Sequence, residues 1–369
     1  MTESRKYEYW LLANSTLTSS QKRKLYEYFE GAYELYNAKE KDILKSFILS
    51  IDELDAFLRH RASYELDKEY ETLLNSPFNF VTQESDEYPE SLNYVSSPVY
   101  GLFYTGNLKE TLNKKKVAIV GARGCSAYGK RMAHDLGYEL GKNNITVVSG
   151  LAKGIDSYSH QGCIDAGGTT AAVLGCGVDV VYPKENAALY ESIAQSGCIL
   201  SEYGLGHAPQ AGQFPARNRF IAGLSTAIVV VEARLKSGSL ITADLGLELG
   251  KDIYVVPGRI GDSLSAGCNR LASQGAGIIF SIEKFMEDIL ELSKEELYTL
   301  SCDNTHHTPK VTLTKEQLIV YSLFDLYPKS LSSVQPESGM DYLKLMSLTI
   351  ELTRMGLLKE VFKNSYIIT

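Results

Sequence analysis

Residues 117–150 have the sequence VAIVGARGCSAYGKRMAHDLGYELGKNNITVVSG. The two ends of this stretch, 117–121 and 145–150, are short apolar runs that stop at a glycine. The longer segment between them, 126–141, is helix-like. Strands that are apolar throughout and are joined by helices are typical of a parallel sheet that is covered on both faces. The stretch therefore predicts a strand, a helix and a second, parallel strand.

The same alternation continues through the middle of the chain. Further short β-branched runs occur at 169–175, 199–202, 227–232, 253–258 and 277–280, and another helix-like stretch occurs at 239–250. This repetition predicts an α/β domain with a doubly wound, mostly parallel sheet. The ligand of such a domain binds at the carboxyl ends of the strands, where the loops converge.

The segments on either side of this domain have different patterns. Apolar residues in 7–75 recur at three- and four-residue spacing, which predicts a small helical domain. Near the other end, two helical stretches, Gly356 and a β-branched stretch at 361–368 outline a winged helix. We therefore expect a helical domain, an α/β domain, a linker and a winged-helix-like domain, at 1–85, 86–285, 286–310 and 311–369.

Composition and charge limit the class of protein. The 369 residues are 44% hydrophobic and 22% charged, which is typical of a globular protein. No apolar run approaches the ~20 residues that cross a bilayer, the first residues lack a secretory pattern, and the six cysteines include no CxxC pair. We expect a cytoplasmic protein with no membrane partner. The net charge is −7 for 1–110, +3 for 111–285 and −4 for 286–369, so only the middle segment is basic.

Glycine turns follow the first two predicted strands. The first, Gly121-Ala122-Arg123, lacks the G-x-G-x-x-G spacing of dinucleotide sites, and Arg131 stands where an ATP-binding loop has a Ser or Thr for Mg²⁺. A strand-to-helix turn beside an arginine favours an anion, and a packing turn with a solvated arginine is the alternative. The second turn, within the segment 149–156, contains a further cation, Lys153. His160, one helical turn after Asp156, is expected to be a structural hydrogen-bonding residue.

The segment 214–223, FPARNRFIAG, is the most informative of the later loops. Two arginines flank an amide at the start of a predicted helix, and an aromatic residue precedes them. Cations beside an aromatic residue suit a single-stranded nucleic-acid backbone and a stacked base. The alternative is a helix start whose arginines pair with Glu202 or Glu232. Loops at 181–186 and 231–243 follow other strands, so five loops converge on one edge of the sheet.

Metal and nucleophile chemistry have little support in the sequence. His306 and His307 have no Cys or carboxylate partner at ligand spacing, and there is no G-x-S-x-G nucleophile elbow. We expect no metal, no cofactor and no catalytic residue, and hence a protein that is not an enzyme.

The segment 117–276 resembles the DNA-processing protein A family (DprA, also called Smf). The matching motifs are GAR at 121–123, SGLAKGID at 149–156, LGCGVDVVYPKEN at 174–186, FPARNRFIAGLS at 214–225, SGSLITA at 237–243 and VVPG at 255–258. The resemblance implies a Rossmann-like domain that binds and protects single-stranded DNA, forms a homodimer and loads RecA recombinase during natural transformation. It also implies a SAM-like N-terminal domain and a winged-helix-like C-terminal domain.

The resemblance also assigns site residues. Together with Lys153, the DNA-contacting set is Arg123, Lys184, Phe214, Arg217, Asn218 and Arg219. The phosphate-cradling turns contain Gly121, Ala122, Ser149, Gly150, Gly154, Ser237, Gly238, Ser239 and Asn269. Ala122 departs from the family, which usually has serine there, so a hydroxyl donor to phosphate is lost.

Two other interpretations stay open. A nucleotide-binding, phosphoribohydrolase-like enzyme of the related Rossmann-like class carries a PGGxGTxxE loop whose glutamate is catalytic. The corresponding loop here, KSGSLITA at 236–243, has neither the Gly-Gly pair nor the acid. The other interpretation is a scaffold with a vestigial DNA groove, and the retained Arg217-Asn218-Arg219 argues against it.

Overall fold

The computed structural model describes residues 2–291, 313–362 and 364–368. The chain divides into two compact units, of which the first contains Met1–Cys125 and Met132–Met286 and the second contains Ser126–Arg131 and Glu287–Thr369. Most of the linker expected at 286–310 lies outside the described residues, so the four domain boundaries stay predictions. None of the described helices has the length and apolar character that a membrane span requires.

The first part of the described chain is a group of short helices around an aromatic core. Their bounds are α1 Thr2–Ala13, α2 Ser19–Phe29, α3 Ala32–Asn37, α4 Glu40–Lys45, α5 Ile51–Ser63 and α6 Leu66–Leu74. Trp10, Leu25 and Phe57 are fully buried in this core, and such burial of one face explains the helical spacing of the apolar residues. Thr18 and Ser50 begin α2 and α5 with capping boxes. The predicted N-terminal helical segment is confirmed.

The central sheet contains the seven strands that the sequence predicts and two more. Its strands are β1 Asn79–Thr82, β2 Gly101–Gly106, β3 Lys116–Val120, β4 Thr146–Ser149, β5 Thr170–Val173, β6 Cys198–Ser201, β7 Ala227–Val230, β8 Asp252–Val255 and β9 Gly277–Ile278. Their order is β1-β2-β6-β5-β4-β3-β7-β8-β9. Strands β3 to β9 pair in parallel, whereas β2 is antiparallel to both of its neighbours. The mostly parallel sheet is confirmed.

Helices lie between the strands of this sheet in the chain, and one more helix, α14, follows the last strand. They are α7 Leu108–Asn113, α8 Ala127–Lys142, α9 Ile155–Asp165, α10 Ala187–Ser196, α11 Gln213–Leu224, α12 Gly238–Glu248, α13 Ala266–Ser273 and α14 Ile282–Leu290, with 3₁₀ turns at Glu90–Asn93 and Lys184–Asn186. In β5, Ala171 and Val173 belong to one buried cluster and Ala172 to another. Both faces of the sheet are therefore covered, which is the doubly wound arrangement. Helix α14 ends at Leu290, inside the range assigned to the linker.

The strand order determines where the ligand loops lie. On one side of β3 the next strands in the sheet are β4, β5 and β6, in that order. On the other side they are β7, β8 and β9. The order therefore reverses between β3 and β7. In open α/β sheets, the crevice outside the carboxyl ends of the strands at such a reversal is the usual ligand site.

The last described segments, 313–362 and 364–368, have the outline of a winged helix. They contain α15 Lys315–Leu323, β10 Lys329–Ser330, α16 Leu331–Ser338, α17 Tyr342–Arg354, β11 Leu358–Phe362 and β12 Ser365–Ile368. The strands form an antiparallel sheet in the order β10-β12-β11. Gly356 follows α17 with φ of 74°, a left-handed conformation that glycine adopts without strain. The winged-helix-like fold is confirmed, and α16 is the helix that the sequence analysis missed.

Candidate nucleic-acid interface

A small cleft opens at the carboxyl edge of the sheet. Its volume is about 70 Å³, and its walls include Arg123, Gly150, Lys153, Tyr182, Phe214 and Arg217. These residues come from the loops after β3, β4 and β5 and from the first turns of α11. The structure therefore brings together five residues that the sequence analysis selected from three separate motifs, and it adds Tyr182.

An exposed cation and two aromatic rings form one wall of this cleft. The Arg123 side chain is exposed, and its guanidinium carbon lies 5.4 Å from the centre of the Phe214 ring. The Tyr182 ring lies 5.3 Å from the Phe214 ring, centre to centre, and Tyr182 is 39% exposed. A cation over an aromatic face is stabilised by the ring quadrupole. Such a group can pair with a phosphate while the rings accept a stacked base.

The two lysines of the predicted set differ in their partners. Lys153 Nζ forms a salt bridge of 2.6 Å with Glu185 Oε1, and both side chains are more than half exposed. Water screens an exposed pair of this kind and makes it weak, so a phosphate can displace the carboxylate. Lys184 is exposed and forms no salt bridge within the described residues. Both lysines can therefore present charge to a ligand.

Arg217 is buried and holds the backbone of the cleft. It is 4% exposed, and its Nη1 donates hydrogen bonds to Gly150 O, at 2.7 Å, and to Val173 O. Asp156 Oδ2 accepts hydrogen bonds from the amides of Gly150, at 3.2 Å, and Ala152, at 3.4 Å. Burial raises the pKa of the Asp156 carboxyl, and the charge of Arg217 opposes that shift. Opposite buried charges thus fix the loop after β4.

Arg219 and Asn218 also bond within the protein. Arg219 Nη2 forms a salt bridge of 2.7 Å with Glu202 Oε2. The other two guanidinium nitrogens, Nε and Nη1, donate to Ser97 O, at 3.1 Å, and Ala216 O, at 2.6 Å. Asn218 Nδ2 donates to Gly238 O at 3.2 Å. Of the two glutamates that the sequence analysis offered as alternative arginine partners, Glu202 is therefore bound by Arg219.

The first two glycine turns pack directly against each other. A Cβ on Gly121 would lie 2.6 Å from Ile155 Cγ1, and a Cβ on Gly154, where φ is 81°, would lie 2.4 Å from Ala122 O. The Ala122 amide donates a hydrogen bond of 2.7 Å to Glu232 O in the loop after β7. These close approaches require glycine, because any side chain would separate the loops. The turns therefore place Arg123 at a fixed position beside the cleft.

Three of the remaining predicted cradle residues use their side chains for hydrogen bonds within the protein. Ser149 Oγ donates to Ile119 O at 2.6 Å. Ser237 caps the start of α12 and accepts from the Ser239 amide at 3.4 Å. The Asn269 amide group bonds both the N–H and the C=O of Gly258. Asn269 lies after β8 and does not line the cleft, and a phosphate-cradling role for all these residues stays a prediction.

His160 is buried beneath the cleft loops, and its ring has a structural contact. Its Nδ1 lies 2.6 Å from Thr170 Oγ1, and burial lowers the pKa of the ring to about 3. Across residues 2–291, 313–362 and 364–368, no cluster of three or more His, Cys, Asp or Glu side chains is arranged to hold a metal ion. His306 and His307 lie outside these ranges.

Fold and site together define a Rossmann-like protein whose sheet carries an exposed arginine beside aromatic rings at its carboxyl edge. A helical segment precedes this domain in the chain, and a winged helix follows it. The sequence profile of the family described as DNA recombination-mediator protein A matches residues 79–290. The chain belongs to this family, and a role in DNA processing during recombination follows from that membership. The resemblance to DprA and Smf noted from the sequence motifs is confirmed.

Relatives and solved structures support the assignment. The chain is 38% identical over 277 residues to the DNA processing protein DprA of Streptococcus pneumoniae, an alignment that covers 74% of this chain and 95% of that protein. The X-ray structure of S. pneumoniae DprA matches with a TM-score of 0.68 and 37% identity, over 76% of this chain and 96% of that one. DprA of Helicobacter pylori, studied for its single-stranded DNA binding mode, matches with a TM-score of 0.53 and 35% identity, over 58% of this chain and 97% of that one.

Proposed function

We propose that this protein binds single-stranded DNA at the cleft beside Arg123 and loads RecA recombinase onto that strand. The observation that carries the proposal is the exposed Arg123 guanidinium over the Phe214 ring, with Tyr182 beside it. A single strand presents both a phosphate and an unpaired base to such a group, whereas a duplex keeps its bases stacked inside.

The cleft suggests how a strand is held. A phosphate pairs with Arg123, and its neighbours along the strand pair with Lys184 and with Lys153, which releases Glu185. A base stacks on Phe214 or Tyr182. Because phosphates and ring faces carry little base information, binding has weak sequence preference and falls with salt.

The buried residues of the predicted DNA set support this site indirectly. Arg217, Asn218 and Arg219 are each less than a tenth exposed, and all three bond to backbone or to Glu202. We assign them to positioning: Arg217 holds the loop after β4, and Asn218 holds the start of α12. The strand itself meets three exposed cations, Arg123, Lys153 and Lys184, and the partly buried Phe214 ring.

The protein acts in this proposal by binding and not by catalysis. Two carboxylates lie close to the cleft residues: Asp156 is buried and accepts two backbone hydrogen bonds, and Glu185 forms a salt bridge with Lys153. Asp156 is therefore engaged in structure, and the loop at 236–243 lacks the glutamate that a phosphoribohydrolase-like enzyme carries there. The proposal also includes RecA loading and homodimer formation, which are inferred from the family. An assay of RecA filament assembly tests the first, and light scattering tests the second.

Fluorescence anisotropy tests the proposal directly. Labelled oligo-dT and a matched duplex are titrated with the full chain across a salt series, without ATP or metal. We expect strong, salt-sensitive preference for the single strand. Absence of binding at low salt contradicts the proposal, and hydrolysis of nucleoside monophosphates is then the assay for the enzymatic alternative.

A further inference from the structure

A second cavity lies on another side of the start of α11. Its volume is about 500 Å³, and it is enclosed by α1, α2 and the loop after β6. Phe214 and Arg217 line the first cleft, whereas Ala216 and Arg219 line this cavity. The two members of each pair are three positions apart and therefore lie on the same side of the helix. Two sides of α11 thus face two separate cavities.

Lys22 places a buried positive charge in this cavity. Its side chain is buried, and Nζ donates a hydrogen bond of 2.5 Å to Leu12 O. An ammonium has three N–H donors, and the bond to Leu12 O is the one it makes within the described residues. Burial lowers the pKa of Lys22 to about 8, although the charge of Glu202 opposes that shift. A buried cation of this kind is stabilised by an anion that enters the cavity.

The two other charged side chains that line the cavity, Glu202 and Arg219, pair with each other. Glu202 is the acidic residue among those that line it, and its Oε2 accepts hydrogen bonds from Arg219, at 2.7 Å, and Ser19, at 3.0 Å. The Glu202 carboxylate and the Arg219 guanidinium therefore neutralise each other. One positive charge is left over, on Lys22.

The start of α2 adds to this positive charge. Thr18, Ser19 and Ser20 line the cavity, and the Thr18 hydroxyl accepts from the Gln21 amide at 3.3 Å. The amides of Ser19 and Ser20 belong to the first helical turn, so they have no intrahelical acceptor. The positive end of a helix beside a buried ammonium favours a doubly charged anion such as a phosphomonoester.

The rest of the lining suits an organic body of nucleotide size. Tyr203 and His207 are stacked with ring centres 4.9 Å apart at an angle of 18°, and Leu17 and Leu205 also line the cavity. The volume is in the range of small-molecule sites, about 300–1,000 Å³. Aromatic and apolar residues that line the same cavity as the start of α2 match a base and its phosphate.

We propose that this cavity binds a nucleoside monophosphate, with the phosphate at Lys22 and the start of α2 and the base against Tyr203. The same chemistry is offered by a free nucleotide and by the phosphorylated end of a DNA strand. The proposal stands apart from strand binding at Arg123, because a free nucleotide tests it without any strand.

Calorimetric titration of the full chain with dTMP, thymidine and inorganic phosphate is the first test. We expect dTMP to bind at least tenfold more tightly than thymidine, because the phosphate supplies the missing anion. Lys22→Met lowers dTMP affinity at least tenfold, whereas Lys24→Met, the same change at an exposed position of α2, leaves it unchanged. Equal affinities for dTMP and thymidine, or an unchanged affinity in Lys22→Met, overturn the proposal.

A footprint on the unmodified chain covers the case in which Lys22→Met does not fold. Lysine acylation is followed by mass spectrometry with and without dTMP. We expect dTMP to protect Lys22 and to leave Lys24 reactive. Equal reactivity of Lys22 in both samples overturns the proposal.

Oligo-dT with and without a 5′-phosphate identifies the source of the nucleotide. If the phosphorylated strand binds more tightly and dTMP removes the difference, the cavity takes a strand end. If both strands bind equally while dTMP still binds, it takes a free nucleotide. Failure of strand binding at Arg123 leaves the dTMP titration unaffected, so the two proposals fail separately.

Discussion

Arg217 Nη1 donates a hydrogen bond of 2.7 Å to Gly150 O, which ties the start of α11 to the loop after β4. The same nitrogen donates to Val173 O at the end of β5, and the opposite charge of Asp156 acts on the guanidinium. One buried cation thus joins three elements around the cleft. Residues that look like DNA ligands in the motif FPARNRF therefore divide into those that position the loops and those that reach solvent.

Arg217→Met separates positioning from direct contact. The substitution leaves two buried carbonyl groups without their donor and removes the stronger of two positive charges that act on the buried Asp156. A buried acceptor left without its donor costs about 1–3 kcal/mol. We expect the thermal midpoint of unfolding and the affinity for oligo-dT to fall together. A variant with an unchanged midpoint and lost binding contradicts the positioning role, because it assigns Arg217 to direct contact with the strand.

Arg123→Ala tests direct contact. Arg123 is exposed, so its loss leaves the thermal midpoint nearly unchanged. The substitution removes one phosphate contact, so the slope of log affinity against log salt concentration becomes shallower by about 1. Lys251→Ala is the control, because Lys251 precedes β8, at the opposite end of the strand from the cleft loops. Equal losses of oligo-dT affinity in anisotropy titrations contradict the assignment.

The aromatic wall predicts a loss of a different kind. Phe214→Leu and Tyr182→Leu each keep an apolar side chain but remove a ring face, and stacking contributes about 1–3 kcal/mol per base. We expect affinity to fall about tenfold in each variant while its salt dependence stays the same. Tyr94→Leu is the control, because Tyr94 is an exposed aromatic residue outside the cleft. If either variant keeps its affinity at low salt and changes only its salt dependence, the result contradicts a stacking role.

The sequence predicts the sheet well because strands and turns have local signals. Seven short β-branched runs, four of which end at glycine, locate all seven parallel strands. Gly121 and Gly154 occupy turns that admit no side chain. The strands β1 and β2 and the helix α16 were missed. Residues 331–338 contain four Ser or Pro positions and little apolar periodicity, so their helix depends on packing within the winged helix.

The site is predicted less completely because burial depends on tertiary contacts. Arg123 and Arg219 are alike in sequence, but the second is buried against Glu202, which lies 17 positions earlier in the chain. Tyr182 belongs to the VYPKEN motif. The position of this motif in the loop after a predicted strand is the signal that could have identified Tyr182 as a site residue. Nothing in the segment QKRKL distinguishes Lys22 from its exposed neighbour Lys24, because the cavity forms only when α2 meets the loop after β6.

The Glu202–Arg219 pair predicts strong coupling between two positions. Arg219 donates to Glu202 in a mostly buried setting, so each single neutral variant leaves the other charge without its partner. We expect Glu202→Gln and Arg219→Gln each to lower the thermal midpoint, and the double variant to be less destabilised than the sum of the two. Simple additivity in a double-mutant cycle contradicts a coupled buried pair.

His160 predicts a loss of stability in acid. Burial lowers the pKa of its ring to about 3, whereas an unfolded histidine has a pKa of about 6.5. Above pH ~6.5 the ring is neutral in both states, and below it the unfolded chain alone binds the proton. The stability that His160 contributes is therefore present at neutral pH and is lost progressively as the pH falls toward 3.

Unfolding curves between pH 4 and pH 7 measure this effect. One proton bound on unfolding changes the free energy of unfolding by at most about 1.4 kcal/mol per pH unit. His160→Gln removes that contribution, so the stability of this variant depends less on pH. His134→Gln is the control of opposite sign. His134 is partly exposed, and hydrogen bonds to Asp135 and Asp165 raise the pKa of its ring. Its contribution is fully present below pH ~6.5 and is lost as the pH rises above that value, so His134→Gln leaves the slope between pH ~4 and pH ~6 unchanged. Parallel curves for His160→Gln and the unmodified chain contradict the buried neutral histidine.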